Sequence, residues 1–423
     1  LGTLTALRGT RDLISPEVER WQEIEDAARR VLTAACYAEI RTPVLERTEL
    51  FERGVGEATD IVAKEMYTFE SRSGERMTMR PENTAGVVRA FLERGLRTKF
   101  PSPLKLFYLG SMFRYERPQK GRFRQFHQLG VEILDCADPR SDAETILVAC
   151  EFLREVGIAD PIVDLNSLGD EADRDRFRGD LVKFLRSVAD RLDPDSVARI
   201  ERNPLRVFDS KVAATQKVLQ GAPVILDYLG AEAAEHFAAV RAELDALGIT
   251  YRLVPQLVRG LDYYTRTTFE IQSESLGAQS AVCGGGRYDD LVEELGGPSV
   301  PAVGWALGLE RLAIILDEVR GQPELRGPRA FLVAQGDAAE RAVLSIARDL
   351  RRSGVRCEVS FARAGFGKQF KAADRRRARF AVILGEDEMA KGVAAVKDLE
   401  SGEQREVPRS ELAAYLREGE SNP

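Results

Sequence analysis

The sequence predicts an α+β protein: a domain built on an antiparallel sheet, interrupted by a helical insertion and followed by a small α/β domain. Three observations predict it. Leu104–Ile133 contains two runs of alternating apolar and polar residues around a basic loop, the pattern of a long hairpin. Residues 169–251 lose that alternation and become charged and helical. From Ala330 onward strand-like and helix-like stretches alternate, as in small α/β domains. The expected boundaries are 1–168 and 252–322 for the sheet domain, 169–251 for the insertion, 323–328 for a linker and 329–423 for the last domain.

Composition narrows the classes. The 423 residues are 44% hydrophobic and 30% charged, as in globular proteins with room for two or three cores. No apolar run approaches the ~20 residues that span a bilayer, so no membrane partner is expected. The first residues, LGTLTALRGTRDL, lack the pattern of a signal peptide. Cys36, Cys136, Cys150, Cys283 and Cys357 are scattered, and His127 and His236 complete no metal-ligand spacing. A reducing cytoplasm fits. The net charge is −7, yet residues 326–380 hold fourteen Arg and Lys against five Asp and Glu. A basic module on an acidic body is the footprint of local phosphate contact, or else a solvated helix face.

The elements follow in order. Ser15-Pro16-Glu17 should start a helix, with Ser15 as N-cap and Pro16 at the first helical position. Val18, Trp21, Ile24, Ala28, Val31, Leu32 and Ala35 recur at helical spacing. A strand over 38–46 follows, and its Pro43 marks it as an edge. Beyond a hairpin near Ser73-Gly74 comes the strand Arg76–Arg80. Arg80-Pro81-Glu82-Asn83-Thr84 then leads into a helix from Ala85, where Glu82 and Thr84 suit the free N–H groups of a helix start. In the central hairpin Arg114, Gln128 and Glu132 sit on faces that would otherwise be apolar. A helix (Ser141–Gly157) and a strand (Ile162–Leu168) precede the insertion. After it, Arg259-Gly260-Leu261-Asp262-Tyr263-Tyr264 leads into the strand Thr267–Gln272, with the two tyrosines expected on opposite faces. Ala278–Cys283 runs into Gly284-Gly285-Gly286-Arg287-Tyr288, which lets backbone lie close against a flat partner. The last motif, Val300–Arg311, reads as strand then helix. The final domain should hold strands at 330–334, 356–361 and 380–384, two more at 393–398 and 404–407, and helices at 338–353, 368–379 and 410–418.

FRYERPQKGRFRQFHQLGVE resembles motif 2 of class II aminoacyl-tRNA synthetases, and specifically that of the histidyl-tRNA synthetases. RGLDYY and CGGGRYD are similar to strings of the same family, while residues 17–46 and 300–311 resemble its motifs 1 and 3. The resemblance runs from about Arg8 to the C-terminus. It implies a class II catalytic domain, an insertion over the tRNA acceptor stem and a C-terminal anticodon-binding domain in a bacterial-type, cytoplasmic homodimer.

The implied substrates are ATP with Mg²⁺, L-histidine and histidine tRNA. The implied catalytic residues are Arg259 and Arg114. Histidine would be bound by Glu82, Asn83, Thr84, Arg114, Gln128, Glu132, Arg259, Tyr263 and Tyr264. ATP would be bound by Arg114, Glu116 and Arg311, and the tRNA acceptor end would meet Arg117, Gln119 and Arg122. Asn83 and Asp290 stand where the family usually has Gly; asparagine is the non-glycine residue best able to take a positive φ, should the turn need one. A catalytically silent paralogue that regulates histidine biosynthesis is the competing class, disfavoured because the arginines, RGLDYY and the last domain are all present. A synthetase for another amino acid is countered by RGLDYY together with Gln128 and Glu132.

Overall fold

The computed structural model describes residues 3–56, 59–273, 281–361 and 364–418. The approach Ala278–Ser280 to the glycine-bearing strand lies outside them. The chain forms two compact units, Leu1–Pro323 and Glu324–Pro423.

The first unit is organised by an eight-stranded sheet. Its strands are β1 (Ala38–Glu39), β5 (Leu104–Phe113), β6 (Gln125–Leu134), β7 (Pro161–Ser167), β8 (Tyr251–Leu253), β9 (Thr265–Ser273), β10 (Ala281–Arg287) and β11 (Ala302–Gly308). A side sheet holds β2 (Leu45–Arg47), β3 (Tyr67–Glu70) and β4 (Arg76–Met79). The spatial order of the large sheet is β1-β5-β6-β11-β10-β9-β7-β8. All its pairs are antiparallel except β1/β5 and β7/β8 at the two edges. A parallel pair needs a crossover, and here the whole helical insertion fills the one from β7 to β8.

Period-2 alternation splits the hairpin between two cores. Phe107, Leu129, Val131 and Ile133 face the helices Glu17–Ala34, Pro139–Glu155 and Leu309–Arg320. Burying each such side chain contributes about 1.5–3 kcal/mol. Leu106, Tyr108 and Met112 face the other way, toward Val87, Val88 and Phe91 of the helix Thr84–Glu93 and toward Tyr263, Tyr264 and Tyr288. On that second face the register sets Glu132 opposite Leu106 and Gly304, and Gln128 opposite Gly110 and Gly308.

Several expectations change. Pro16, not Ser15, occupies the N-cap of the first helix, and the Ser15 hydroxyl bonds to Glu19 instead. The strand expected over 38–46 breaks at Thr42-Pro43 into β1 and β2, which join different sheets. Proline has no N–H for a continuing ladder. The insertion is not uniform: Phe177, Leu181, Leu185, Val207 and Ile225 form a core of their own. Its last helix, Ala231–Ala246, instead puts Phe237, Val240 and Leu244 into the core beneath the main sheet. Arg287 of CGGGRYD is wholly buried and ties β10 to the helix Pro139–Glu155 through Ser141 and Asp142. Burial alone would raise the Asp142 carboxyl, but Arg287 and His236 hold it well below its ordinary range.

The second unit is a five-stranded sheet of order β13-β12-β14-β15-β16. The strands are β12 (Ala330–Ala334), β13 (Cys357–Val359), β14 (Phe380–Leu384), β15 (Val393–Asp398) and β16 (Gln404–Pro408). The first three run parallel, as their intervening helices Asp337–Arg352 and Phe366–Arg375 require. Its core includes Leu332, Val343, Leu350, Val382 and Leu416. A short helix, Glu386–Lys391, was not expected from the sequence. Its six residues are too few for a periodic signal.

Candidate active site

Polar residues on the second face of the hairpin should be costly to bury, and they are nonetheless enclosed. Glu132 is 1% exposed and accepts hydrogen bonds from the Thr84 hydroxyl at 2.8 Å and from the Tyr288 hydroxyl. Burial outweighs these bonds and pushes its carboxyl up to about 8. Gly304 opposite it makes the position possible, since a Cβ there would overlap the Glu132 carboxylate. Glu82 accepts from the backbone N–H groups of Thr84 at 2.7 Å and Ala85 at 3.0 Å. The helix-start role is therefore real, and burial raises this carboxyl too.

These groups wall a cavity of ≈ 170 Å³, completed by Tyr108, Gln128, Tyr263, Tyr264, Tyr288 and Trp305. Tyr263 and Tyr264 do not lie on opposite faces of a strand. They precede β9, their rings stand 4.7 Å apart, and both line the cavity. The Tyr108 hydroxyl, Gln128 Oε1 and Arg259 Nε are buried there without a hydrogen-bond partner. Buried polar atoms normally have partners, so three orphans in one cavity point to a polar ligand.

The cavity adjoins a wider cleft of ≈ 520 Å³, and Arg114, Gln128, Arg259 and Gly284 line both. Arg114 lies just past β5, donates from Nε to the Pro81 carbonyl at 2.9 Å and covers the Phe126 ring at 5.2 Å. Arg259 pairs with Glu270 of β9, and its guanidinium lies where a side chain at position 284 would be. Arg311, in the first turn of its helix, lines the far part with Glu116 and Arg122. Burial first, and then Arg122, lower the Arg311 pKa, though a guanidinium stays charged. Two like charges held together in this way favour an anion between them.

One expected residue is not at the site. Asn83 lines neither space; its Oδ1 accepts from Thr42 at 2.5 Å and from Arg80 at 3.3 Å. Its φ is −124°, so asparagine in place of glycine imposes no strain and no positive φ is needed. Asp290 is the N-cap residue of the short helix Leu291–Glu294 and lies 3.7 Å from Arg174, away from the cavity. Arg117, Gln119 and Arg122 are exposed on the hairpin loop, where the backbones of Gln119 and Arg122 bond to each other at 2.9 and 3.2 Å. Tyr108, Tyr288 and Glu270 were missed. Tyr288 sat inside CGGGRYD, and Glu270 was an acidic residue in an otherwise apolar-alternating strand.

The comparisons bear directly on this arrangement. The family described as histidyl-tRNA synthetase matches residues 9–312. The chain belongs to the histidyl-tRNA synthetase family. The family described as anticodon binding domain matches residues 330–419. A histidine–tRNA ligase of Thermosynechococcus vestitus is 53% identical over 97% of this chain and 95% of its own. One of Synechocystis is 50% identical over 99% and 93%. The structure of apo S. aureus histidyl-tRNA synthetase superposes with a TM-score of 0.82 at 33% identity, covering 98% of this chain and 100% of that one. A Bacillus halodurans structure titled ATP phosphoribosyltransferase regulatory subunit/histidyl-tRNA synthetase shares the fold, with a TM-score of 0.66 at 19% identity. The histidyl-tRNA synthetase strings converge on the cavity: FRYE supplies Arg114, RGLDYY supplies Arg259, Tyr263 and Tyr264, and CGGGRYD supplies Tyr288. Among the described residues no helix is long and apolar enough to cross a membrane.

Proposed function

We infer that the chain is a histidine–tRNA ligase. It activates L-histidine with ATP to histidyl-adenylate and pyrophosphate, then passes the histidyl group to the terminal ribose of histidine tRNA. The observation that carries this reading is the junction: an enclosed cavity of acids and tyrosines shares Arg114 and Arg259 with an arginine-lined cleft. The amino acid belongs in the cavity, the nucleotide in the cleft, and the reacting α-phosphate between them. Histidine-dependent exchange of pyrophosphate into ATP tests the reading. Exchange with a different amino acid, or none with histidine, overturns it.

A carboxylate is already a nucleophile at neutral pH, so adenylation calls for alignment and charge neutralisation rather than a base. Arg114 and Arg259 supply both at the α-phosphate, and Arg311 grips the triphosphate tail. Glu132 and Tyr264 meet the imidazole nitrogens, with Tyr263 packed beside them. Glu82, Thr84 and Gln128 meet the α-ammonium. Thr84 donates to Glu132, which leaves its oxygen lone pairs for the ammonium.

The donor set fits Mg²⁺ arriving on ATP. Among the described residues no cluster of three His, Cys, Asp or Glu forms a metal cage, whereas the Glu116 carboxylate faces the cleft. Mg²⁺ is commonly held by one or two carboxylates plus substrate phosphates. When bound, the ion would neutralise charge on the β- and γ-phosphates, and phosphate would draw Arg259 and Arg114 away from Glu270 and Glu116.

The hairpin loop is read as the contact to the tRNA acceptor end, with Gln119 reading a base and Arg117 and Arg122 gripping phosphate. Gln119→Ala is expected to slow charging by about 5-fold, the low end for losing one specific base contact, while leaving pyrophosphate exchange intact. Equal charging rates would remove Gln119 from tRNA recognition. The basic C-terminal unit is read as the binder of the anticodon end, where unstacked bases can be held. Deleting residues 327–423 is expected to raise the Michaelis constant for tRNA and to leave exchange standing, with sedimentation checking the truncated core's assembly. An unchanged constant would make the basic region a solvated surface.

The proposed assembly is a cytoplasmic homodimer. Support comes from Val44, Leu45 and Phe69, apolar side chains left exposed on and beside the β2-β4-β3 sheet, and from the two-residue edge strand β1. The five cysteines are all free, which suits a reducing compartment.

A further inference from the structure

The helical insertion reaches the reaction cleft. Its turn Pro204–Asp209 is anchored by Val207 and Phe208 in the insertion's own core. Arg206 immediately precedes those anchors and points out of that core, so that it lines the cleft with Arg114, Arg259 and Arg311. The Arg206 side chain is 20% exposed. Its Nη1 meets Asp209 at 3.1 Å, and its Nη2 is 4.0 Å from Asp262. The second distance is beyond a hydrogen bond, so the fork is only partly used.

The same turn also holds the wall of the cavity. Val258, next to Arg259, packs against the insertion core. Asn203 donates to Asp262 at 3.3 Å, and Gly260 leaves its flank open toward Arg206. The insertion is therefore not a detached cover: it places a cation beside the Arg259 turn.

We propose that Arg206 binds phosphate oxygens of a substrate in the cleft, making the insertion part of the reacting site. The ligand chemistry is a phosphate oxyanion. Two substrates carry it: the triphosphate of ATP, and the backbone of the tRNA 3′ end. The proposal rests on the reading of this cleft as the nucleotide site. A forked, permanently charged donor suits that task, and its alternative partner, Asp262, is buried enough that its carboxyl is raised.

The test uses the full-length enzyme. Arg206→Gln is compared with wild type in histidine-dependent pyrophosphate exchange, and in single-turnover transfer from enzyme-bound adenylate to tRNA. Inorganic tripolyphosphate serves as a competitive probe against ATP. A severalfold rise in KM for ATP, with weaker tripolyphosphate inhibition, assigns Arg206 to the triphosphate. Normal exchange with slowed transfer assigns it to the tRNA 3′ end. Arg206→Lys should recover most of either loss, because the charge is retained. Unchanged exchange and transfer in Arg206→Gln overturn the proposal. So does an equal loss in the Lys variant, which would mark a role in shape rather than charge. Wild-type enzyme without histidine-dependent exchange would instead refute the underlying reading of the cleft.

Discussion

Arg259→Ala lowers the rate of histidine-dependent pyrophosphate exchange by about 10²–10³-fold, the cost of removing one preorganised charge-stabilising donor. Histidine affinity changes far less, because the extra negative charge on the α-phosphate exists mainly in the transition state. The structure adds a complication that can be separated. Arg259 is the partner of Glu270, and its removal leaves that carboxylate facing the cleft. The single variant therefore also repels ATP. The double variant Arg259→Ala, Glu270→Gln should recover ATP affinity while the rate stays low. Near-normal exchange in the single variant would remove Arg259 from the chemistry.

Glu132→Gln is expected to weaken histidine binding by about 10–100-fold, the worth of a hydrogen bond to a charged group, with ATP binding nearly intact. It should also change stability in the opposite direction. The Glu132 carboxyl is raised from 4.5 to about 8 in the folded chain. Its contribution is therefore full below pH 4.5 and is lost as pH rises through about 8. An amide carries no such titration. The melting temperature of Glu132→Gln should thus gain on wild type steadily from pH 5 to pH 8, by an amount on the order of a few kcal/mol in stability. Saturating histidine should narrow the gap, because the imidazole N–H donates a hydrogen bond to the ionised carboxylate. A pH-independent difference in unliganded melting would show that Glu132 is ionised throughout. Loss of ATP binding with histidine retained would reverse the assignment of this face of the hairpin.

Much of this architecture was legible from the sequence alone. Alternation in Leu104–Ile133 set which side chains of the hairpin go to each core, since a strand exposes every second residue to one face. It therefore put Gln128 and Glu132 together before any partner was known. The change of character at residue 169, and the restart of strands and helices at Ala330, followed from periodicity over long windows, which is the strongest local signal. The strings FRYE, RGLDYY and CGGGRYD carried the family, because each keeps several chemically demanding side chains close in sequence.

What only the tertiary structure decided lies between segments distant in the chain. Asn83 reads as a ligand residue beside Glu82 and Thr84, yet its amide turns to Thr42 and Arg80, 41 and 3 positions away. Tyr288 was hidden within a glycine motif until the fold set its hydroxyl on Glu132, 156 positions earlier. Pro43 was legible as the mark of an edge strand, but not as a break whose two halves would enter different sheets. The elevated carboxyl of Glu132 and the arrival of Arg206 beside Arg259 likewise depend on burial and on the path of the insertion. Local pattern encodes which face a residue takes. Desolvation and pairing are sums over neighbours that the chain brings together only when it folds.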